Sequence, residues 1–217
     1  MKDIVVCLYD KTGVLGLPWA NAGFRVMRFD LYGVEEEVRI PEPGESVSFK
    51  ADLLHGVPRA LMDPAILSRV VFVGAFPPCT HLAVSGARWF KGKGLRALQD
   101  SIGMFATAAE FCEASGAPYF IENPVSTISS YWRKPDHTFD PWQYNALDPA
   151  SSYTKKTCLW VGGGFKMPAP QVNPELPINK NYIHYLGSSA KDTTTGEDLR
   201  SVTPKGFALA VFEANKP

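Results

Sequence analysis

Unbroken apolar runs alternate with helix-period segments along the first 124 residues, and the alternation stops there. Ile4 to Tyr9 and Val70 to Phe76 are continuous apolar runs, the pattern of strands buried on both faces. Phe24 to Phe29 predicts a second strand ending at Asp30, and Tyr119 to Glu122 predicts another. Pro18 to Ala22 reads as a short helix closed by Gly23, and Asp63 with Pro64 supplies an N-cap and first turn for a helix running to Leu67. The clearest helix is Leu95 to Ala114. There Leu95, Leu98, Ile102, Phe105, Ala109 and Cys112 recur at helical spacing, and Gly116 is placed to end it. Residues 33–50 are polar and contain Pro41, Pro43 and Gly44, which predicts a loop or hairpin before Asp52 and Leu53.

Strands alternating with helices predict an α/β fold: a mostly parallel sheet, helices on both faces, and ligands at the carboxyl ends of the strands. Asp10, Asp30, Asp52, Cys79 and Glu122 all fall at such ends. Beyond them the texture changes. Ser126 to Ser152 is rich in Pro, Asp, Trp and Tyr, and beyond residue 124 only Thr157 to Val161 reads as a strand. Residues 162–203 are expected to be largely irregular, with Pro168, Pro170, Pro174 and Pro177. A last helix is expected from Thr203 as N-cap and Pro204 to about Ala214, with Phe207, Ala208, Val211 and Phe212 facing inward. The chain is therefore read as one domain, 1–217, in which 125–203 form an irregular substrate-side region.

Charge narrows the choice of partners. Lys plus Arg and Asp plus Glu both total 22, so the net charge is zero, which argues against a long phosphate-binding track. A local basic patch at Arg88, Lys91, Lys93 and Arg96 is compatible with that balance. The four cysteines are scattered without metal-ligand spacing, so no metal site is expected, and Cys7, Cys112 and Cys158 read as buried small hydrophobes. With no leader-like segment and no apolar run of roughly 18 residues, a cytoplasmic protein without membrane contact is expected.

Cys79 stands apart from the other three. Pro77 and Pro78 hold it rigid at the mouth of a buried strand, and Glu122-Asn123-Pro124 sits at the mouth of the next one. A thiolate can add to carbon 6 of a cytosine ring and make carbon 5 electron-rich enough to attack a methyl cation equivalent. The addition needs a proton or hydrogen bond at ring nitrogen 3, which a carboxylic acid kept neutral by burial can supply. Cys79 and Glu122 are the two groups this chemistry demands. Asn123 is placed to hold the acid or read the ring edge.

These motifs, in this order, resemble the cytosine carbon-5 methyltransferase family, in particular its short phage-type branch. The resemblance is carried by Asp10-Lys-Thr-Gly13, Pro18-Trp19, Ala22-Gly23-Phe24, Pro77-Pro78-Cys79-Thr80, Ser85-Gly86-Ala87-Arg88-Trp89 and Glu122-Asn123-Pro124. It continues through Pro141-Trp142-Gln143-Tyr144, Lys155 to Trp160, and Arg200 to Pro204 with Gly206. It implies a Rossmann-like methyltransferase fold and S-adenosylmethionine as cofactor. By position it implies that Asp10 and Gly13 lie in the cofactor loop, Asp30 binds ribose hydroxyls, and Asp52 binds the adenine amino group. Pro77 and Thr203 would border the same cofactor. Cys79 would be the nucleophile, Glu122 the acid and Asn123 its support, with Pro78, Ser85, Arg88, Lys155 and Lys156 toward the substrate.

The chain departs from the family in three places. Residues 10–16 offer fewer glycines than the usual cofactor loop, and Lys155 and Lys156 stand where larger members carry an arginine motif. Only about 40 residues separate Gly162 from Thr203, where larger members hold a target-recognition domain. The substrate is accordingly expected to be cytosine in DNA, DNA presented by a partner subunit, or a free cytosine nucleotide such as dCMP. A catalytically silent nucleotide or cofactor-binding protein is the alternative from outside enzymology. Oligomeric state, including a homodimer, and the roles of His81, His137 and His184 are left open by the sequence.

Overall fold

The computed structural model describes residues 2–182 and 201–217. Seven strands form one sheet: β1 (Ile4–Leu8), β2 (Arg25–Asp30), β3 (Ser46–Lys50), β4 (Val70–Ala75), β5 (Tyr119–Pro124), β6 (His137–Phe139) and β7 (Thr157–Gly162). Their spatial order is β3-β2-β1-β4-β5-β7-β6, and every neighbouring pair is parallel except the two made by β7. This is an α/β, Rossmann-like fold. The order reverses between β1 and β4, so the loops leaving those two strands diverge and open a crevice at their carboxyl ends.

Helices cover both faces of the sheet. On one face lie α1 (Leu17–Asn21) and the C-terminal α5 (Lys205–Asn215), where Trp19, Phe72, Phe120, Phe207 and Val211 form a core. Trp19 stacks on Phe72 with centroids 5.0 Å apart, and Phe207 stacks on Phe139 at 4.0 Å. On the other face lie α2 (Pro64–Leu67) and α3 (Phe90–Ser115), packed through Ile66, Phe105, Ala108, Phe111 and Cys112. A short α4 (Ile128–Tyr131) follows β5.

Several expectations need correction. Residues 33–50 are not wholly loop: Val47 and Phe49 are buried while Ser46 and Lys50 are exposed, and this period-2 alternation makes β3 an edge strand beside β2. The three-residue β6 also lies in a stretch read as strandless. Helix α3 begins at Phe90 rather than Leu95, and Gly94, at φ +79°, breaks it. That break changes the helical phase, and Leu95, expected in the core, is 84% exposed. Pro204, not Thr203, occupies the N-cap of α5, and it makes no side-chain cap. Asp63 does cap α2, accepting from the Ala65 N–H at 2.8 Å. His184, Tyr185 and Arg200 lie outside the described residues.

Gly206 shows why the start of α5 tolerates only a hydrogen side chain. A Cβ there would sit 2.3 Å from the Tyr144 carbonyl oxygen, so the helix could not approach the segment after β6. Phe207, the next residue, fills the gap between Phe139, Tyr144 and Phe120. Among the described residues no helix is long and apolar enough to cross a membrane. Phe207→Ala is expected to lower unfolding free energy by about 3–5 kcal/mol, the usual cost of emptying a buried aromatic site. Urea denaturation should show a lower midpoint with an unchanged slope.

Candidate functional site

The loop after β1 is held from several sides. The Asp10 carboxylate is buried; its Oδ1 accepts from the Gly13 N–H at 2.7 Å and the Thr12 hydroxyl at 3.2 Å, while Oδ2 has no hydrogen-bond partner. Burial pushes its pKa up against those hydrogen bonds. Arg28, on β2, donates to the carbonyls of Asp10 and Lys11 from below. Tyr9, at φ +58°, turns its hydroxyl to 2.9 Å from the carbonyl oxygens of both Leu53 and Met104, donating to one at a time. The chain thus leaves β1 through a left-handed residue tied to the segment after β3 and to α3. Neither Arg28 nor Tyr9 stood out in the sequence, because both look like ordinary strand residues.

Asp30 ends β2 half-buried and accepts from the Tyr32 N–H at 3.0 Å; burial raises its pKa, and the nearby Asp10 adds to the rise. Asp52 is exposed beyond β3 and accepts from the Leu54 N–H at 3.0 Å. A cavity of about 450 Å³ opens between the ends of β2 and β3, lined by Leu31, Ala51, Asp52, Lys50 and three glutamates. Its size lies within the roughly 300–1,000 Å³ of small-molecule pockets. Glu35, Glu36 and Glu37 at its rim had no signal in the sequence beyond a polar run.

The loops after β4 and β5 are bound to each other. The Asn123 side-chain Nδ2 donates to the Pro77 carbonyl at 2.9 Å in a buried hydrogen bond. Beyond it, Val84 N–H donates to the Val125 carbonyl at 2.9 Å and Thr127 N–H to the Leu82 carbonyl at 3.0 Å, forming an antiparallel bridge at Ala83 and Ser126. Cys79 lies between these two attachments. Its carbonyl accepts from the Leu82 and Ala83 N–H groups, and Lys93 clamps the neighbouring Thr80 carbonyl at 2.8 Å. None of the four cysteines is in a disulfide, and Cys7, Cys112 and Cys158 are buried in the core as expected.

Glu122 precedes Asn123 on β5, and its Oε1 is cut off from solvent with no hydrogen-bond partner. Burial raises its pKa, offset in part by the Lys155 ammonium. A small cavity of about 10 Å³, room for roughly one water, joins Glu122 to Phe76, Lys155, Thr157, Thr203 and Phe207. The structure therefore brings Glu122, Lys155 and Thr203 together from three separate segments. It does not bring Lys156 to them, since that side chain is exposed. Pro77 is buried and Pro78 exposed, and Ser85 and Arg88 are exposed on a 3-10 turn, Val84–Trp89. His81 is half-buried with an unpartnered Nδ1, and burial lowers its pKa. His137 starts β6, and Tyr144 and Gln143 act in packing and local hydrogen bonding.

Most of the buried polar atoms without a partner gather in one region. Among the described residues, eight buried side-chain polar atoms lack partners, and six of them (on Asp10, His81, Glu122, Asn123, Ser126 and Thr127) lie in the loops after β1, β4 and β5 or at the end of β5. Buried polar groups are nearly always paired, and ligand groups or ordered water are what would pair these. Asp10, Asp30 and Asp52 are acceptors that fit a cofactor rich in hydrogen-bond donors, and the orphaned Asp10 Oδ2 is one such acceptor. Among the described residues no group of three or more His, Cys, Asp or Glu is arranged to hold a metal ion.

No protein-family model matches the chain, and no curated protein matches it. Among solved structures, 30 chains are similar. One of them, encoded within an E. coli prophage, carries a provisional description as a DNA modification methyltransferase. It is 12% identical with a TM-score of 0.44, over 87% of this chain and 55% of that one. This chain thus spans little more than half of that protein's length.

Glu122→Gln tests the burial of the acid without chemistry. A pKa raised in the folded state means that the stability contributed by the Glu122 proton is full below the unfolded value near 4.5 and is lost as pH rises through the folded value. Removing the ionisable group should raise Tm at pH 8 by about 2–4 °C, the shift worth roughly 1 kcal/mol in a chain of this length. Near pH 4 the difference should vanish in differential scanning calorimetry.

Proposed function

We propose that this chain is an S-adenosylmethionine-dependent methyltransferase that modifies carbon 5 of cytosine in DNA through a covalent Cys79 adduct. The observation that carries this reading is the Asn123–Pro77 hydrogen bond, which fastens the Cys79 loop to the strand presenting a buried, unpartnered Glu122 carboxyl oxygen. A nucleophile and an acid on adjacent parallel strands, both at their carboxyl ends, can address one planar ring.

The Cys79 thiol gives up its proton to water and its sulfur bonds to carbon 6 of the ring. The electrons of the carbon 5–carbon 6 double bond shift toward nitrogen 3, which takes the Glu122 proton. Burial keeps Glu122 protonated to higher pH than an exposed carboxylic acid, which favours it as the donor in this step. S-adenosylmethionine, when bound, supplies an electrophilic methyl group for carbon 5; Asp10, Asp30, Asp52, Pro77 and Thr203 are the residues that would hold it. Loss of the carbon-5 proton to a base or water then re-forms the double bond. The carbon 6–sulfur bond breaks, Cys79 leaves as thiolate, and nitrogen 3 returns its proton to Glu122. Lys155, beside Glu122, is placed to hold an acceptor atom of the substrate.

A cytosine oligonucleotide fluorinated at carbon 5 cannot complete the last elimination. With S-adenosylmethionine it should give a one-to-one adduct that survives denaturing electrophoresis and maps by mass spectrometry to the Cys79 peptide. Cys79→Ala should abolish the adduct, and Glu122→Gln should slow its formation by about 10²-fold or more. No adduct, or one at another cysteine, would contradict the proposal. Label from methyl-tritiated S-adenosylmethionine entering dCMP but not DNA would move the substrate to the free nucleotide.

A further inference from the structure

The segment following the nucleophile loop carries a surface that the chemistry above does not use. Trp89 is 60% exposed. The Arg88 guanidinium lies over its ring at 5.0 Å, and Lys91, Lys93 and Arg96 follow within two turns, all exposed. Leu95 is thrown outward by the Gly94 break, and Val84, 49% exposed, adjoins Val125, 45% exposed, through their backbone hydrogen bond. No acidic residue occurs between Pro64 and Gln99, although the whole chain is neutral. Positive charge is therefore concentrated on this segment beside Cys79.

An exposed indole flanked by cations is the arrangement that grips single-stranded nucleic acid: bases stack on the ring and phosphates lie along the charges. It suits a duplex poorly, because duplex bases are already stacked on one another. Extruding a cytosine from a duplex costs a few kcal/mol, which is offset only by contacts to the gap and flanking phosphates. With about 40 residues between Gly162 and Thr203, the chain has little material for such contacts. The clamp of Lys93 on the Thr80 carbonyl ties this surface to the nucleophile loop, one residue along the chain from Cys79.

We infer that the surface formed by Arg88, Trp89, Lys91, Lys93, Leu95 and Arg96 binds single-stranded DNA, and that unpaired cytosine, rather than duplex DNA or free nucleotide, is the preferred substrate. The inference rests on the proposed methyltransferase reading for its substrate claim, but the binding surface can be tested without turnover.

The experiment uses the full chain with Cys79→Ala, which binds without reacting, and follows tryptophan fluorescence and anisotropy. The probes are a single-stranded cytosine-containing oligonucleotide, its duplex, and dCMP. The single strand should bind at least tenfold more tightly than either alternative, and its affinity should fall with salt. Adding Trp89→Ala should weaken it about ten- to hundredfold, with Trp89→Phe recovering part of the loss. Lys91→Glu with Arg96→Glu should flatten the salt dependence. Circular dichroism should stay unchanged, since all three side chains are exposed. Equal affinity for duplex and single strand, no binding of DNA, or indifference to Trp89→Ala would overturn the inference. Tight single-strand binding together with no methyl transfer by the wild-type protein to any cytosine substrate would instead overturn the methyltransferase reading and leave the surface standing.

Discussion

The buried hydrogen bond from Asn123 Nδ2 to the Pro77 carbonyl is the constraint on which the site depends. Pro77 and Pro78 have no N–H of their own, so the chain leaving β4 cannot be held by an ordinary ladder there. The asparagine supplies the missing tie from the neighbouring strand. A neutral buried bond of this kind contributes only about 0.5–1.5 kcal/mol net, but losing one partner would leave a buried carbonyl unpaired at about 1–3 kcal/mol. Its larger effect is geometric: it sets the height of the Cys79 loop against Glu122, one residue away on β5. The bridge between Ala83 and Ser126 fixes the loop's far end. Cys79 is therefore placed by two attachments to the same partner segment.

Charge is arranged by place rather than by amount. Acidic groups collect after β1, β2 and β3, at Asp10, Asp30, Asp52 and the glutamates lining the 450 Å³ cavity. Cations collect after β4, from Arg88 to Arg96, and between them Glu122, half-buried, has one carboxyl oxygen shut off from solvent with Lys155 near it. A zero net charge conceals this division. The sheet order that reverses between β1 and β4 keeps the two groups of charges apart.

The buried strands and their carboxyl-end residues were legible because β1 and β4 are continuous apolar runs and the Pro-Pro-Cys and Glu-Asn pairs sit at strand mouths. The features that escaped have specific causes. Strand β3 is an edge, so half its residues are polar, and the prolines before it masked the alternation of Val47 and Phe49. Strand β6 has three residues, too few to show a period. Leu95 fitted the helical spacing, but the left-handed Gly94 shifted the phase, which no periodicity reveals. Lys155 and Lys156 are neighbours with identical chemistry, and only tertiary packing turns the first toward Glu122 and leaves the second in solvent. Arg28 and Tyr9 act through contacts far away in sequence. The fold was thus written locally, whereas the pairing of site residues was written in long-range geometry.

The most direct test of the shared-ring geometry is a crystal structure of the wild-type adduct with a fluorinated cytosine oligonucleotide, read for two distances. The account predicts a covalent bond from Cys79 Sγ to ring carbon 6, and a Glu122 carboxyl oxygen within about 2.6–3.2 Å of ring nitrogen 3. A ring attached to Cys79 with Glu122 turned away from it, or seated in a compartment that Glu122 does not border, would contradict it.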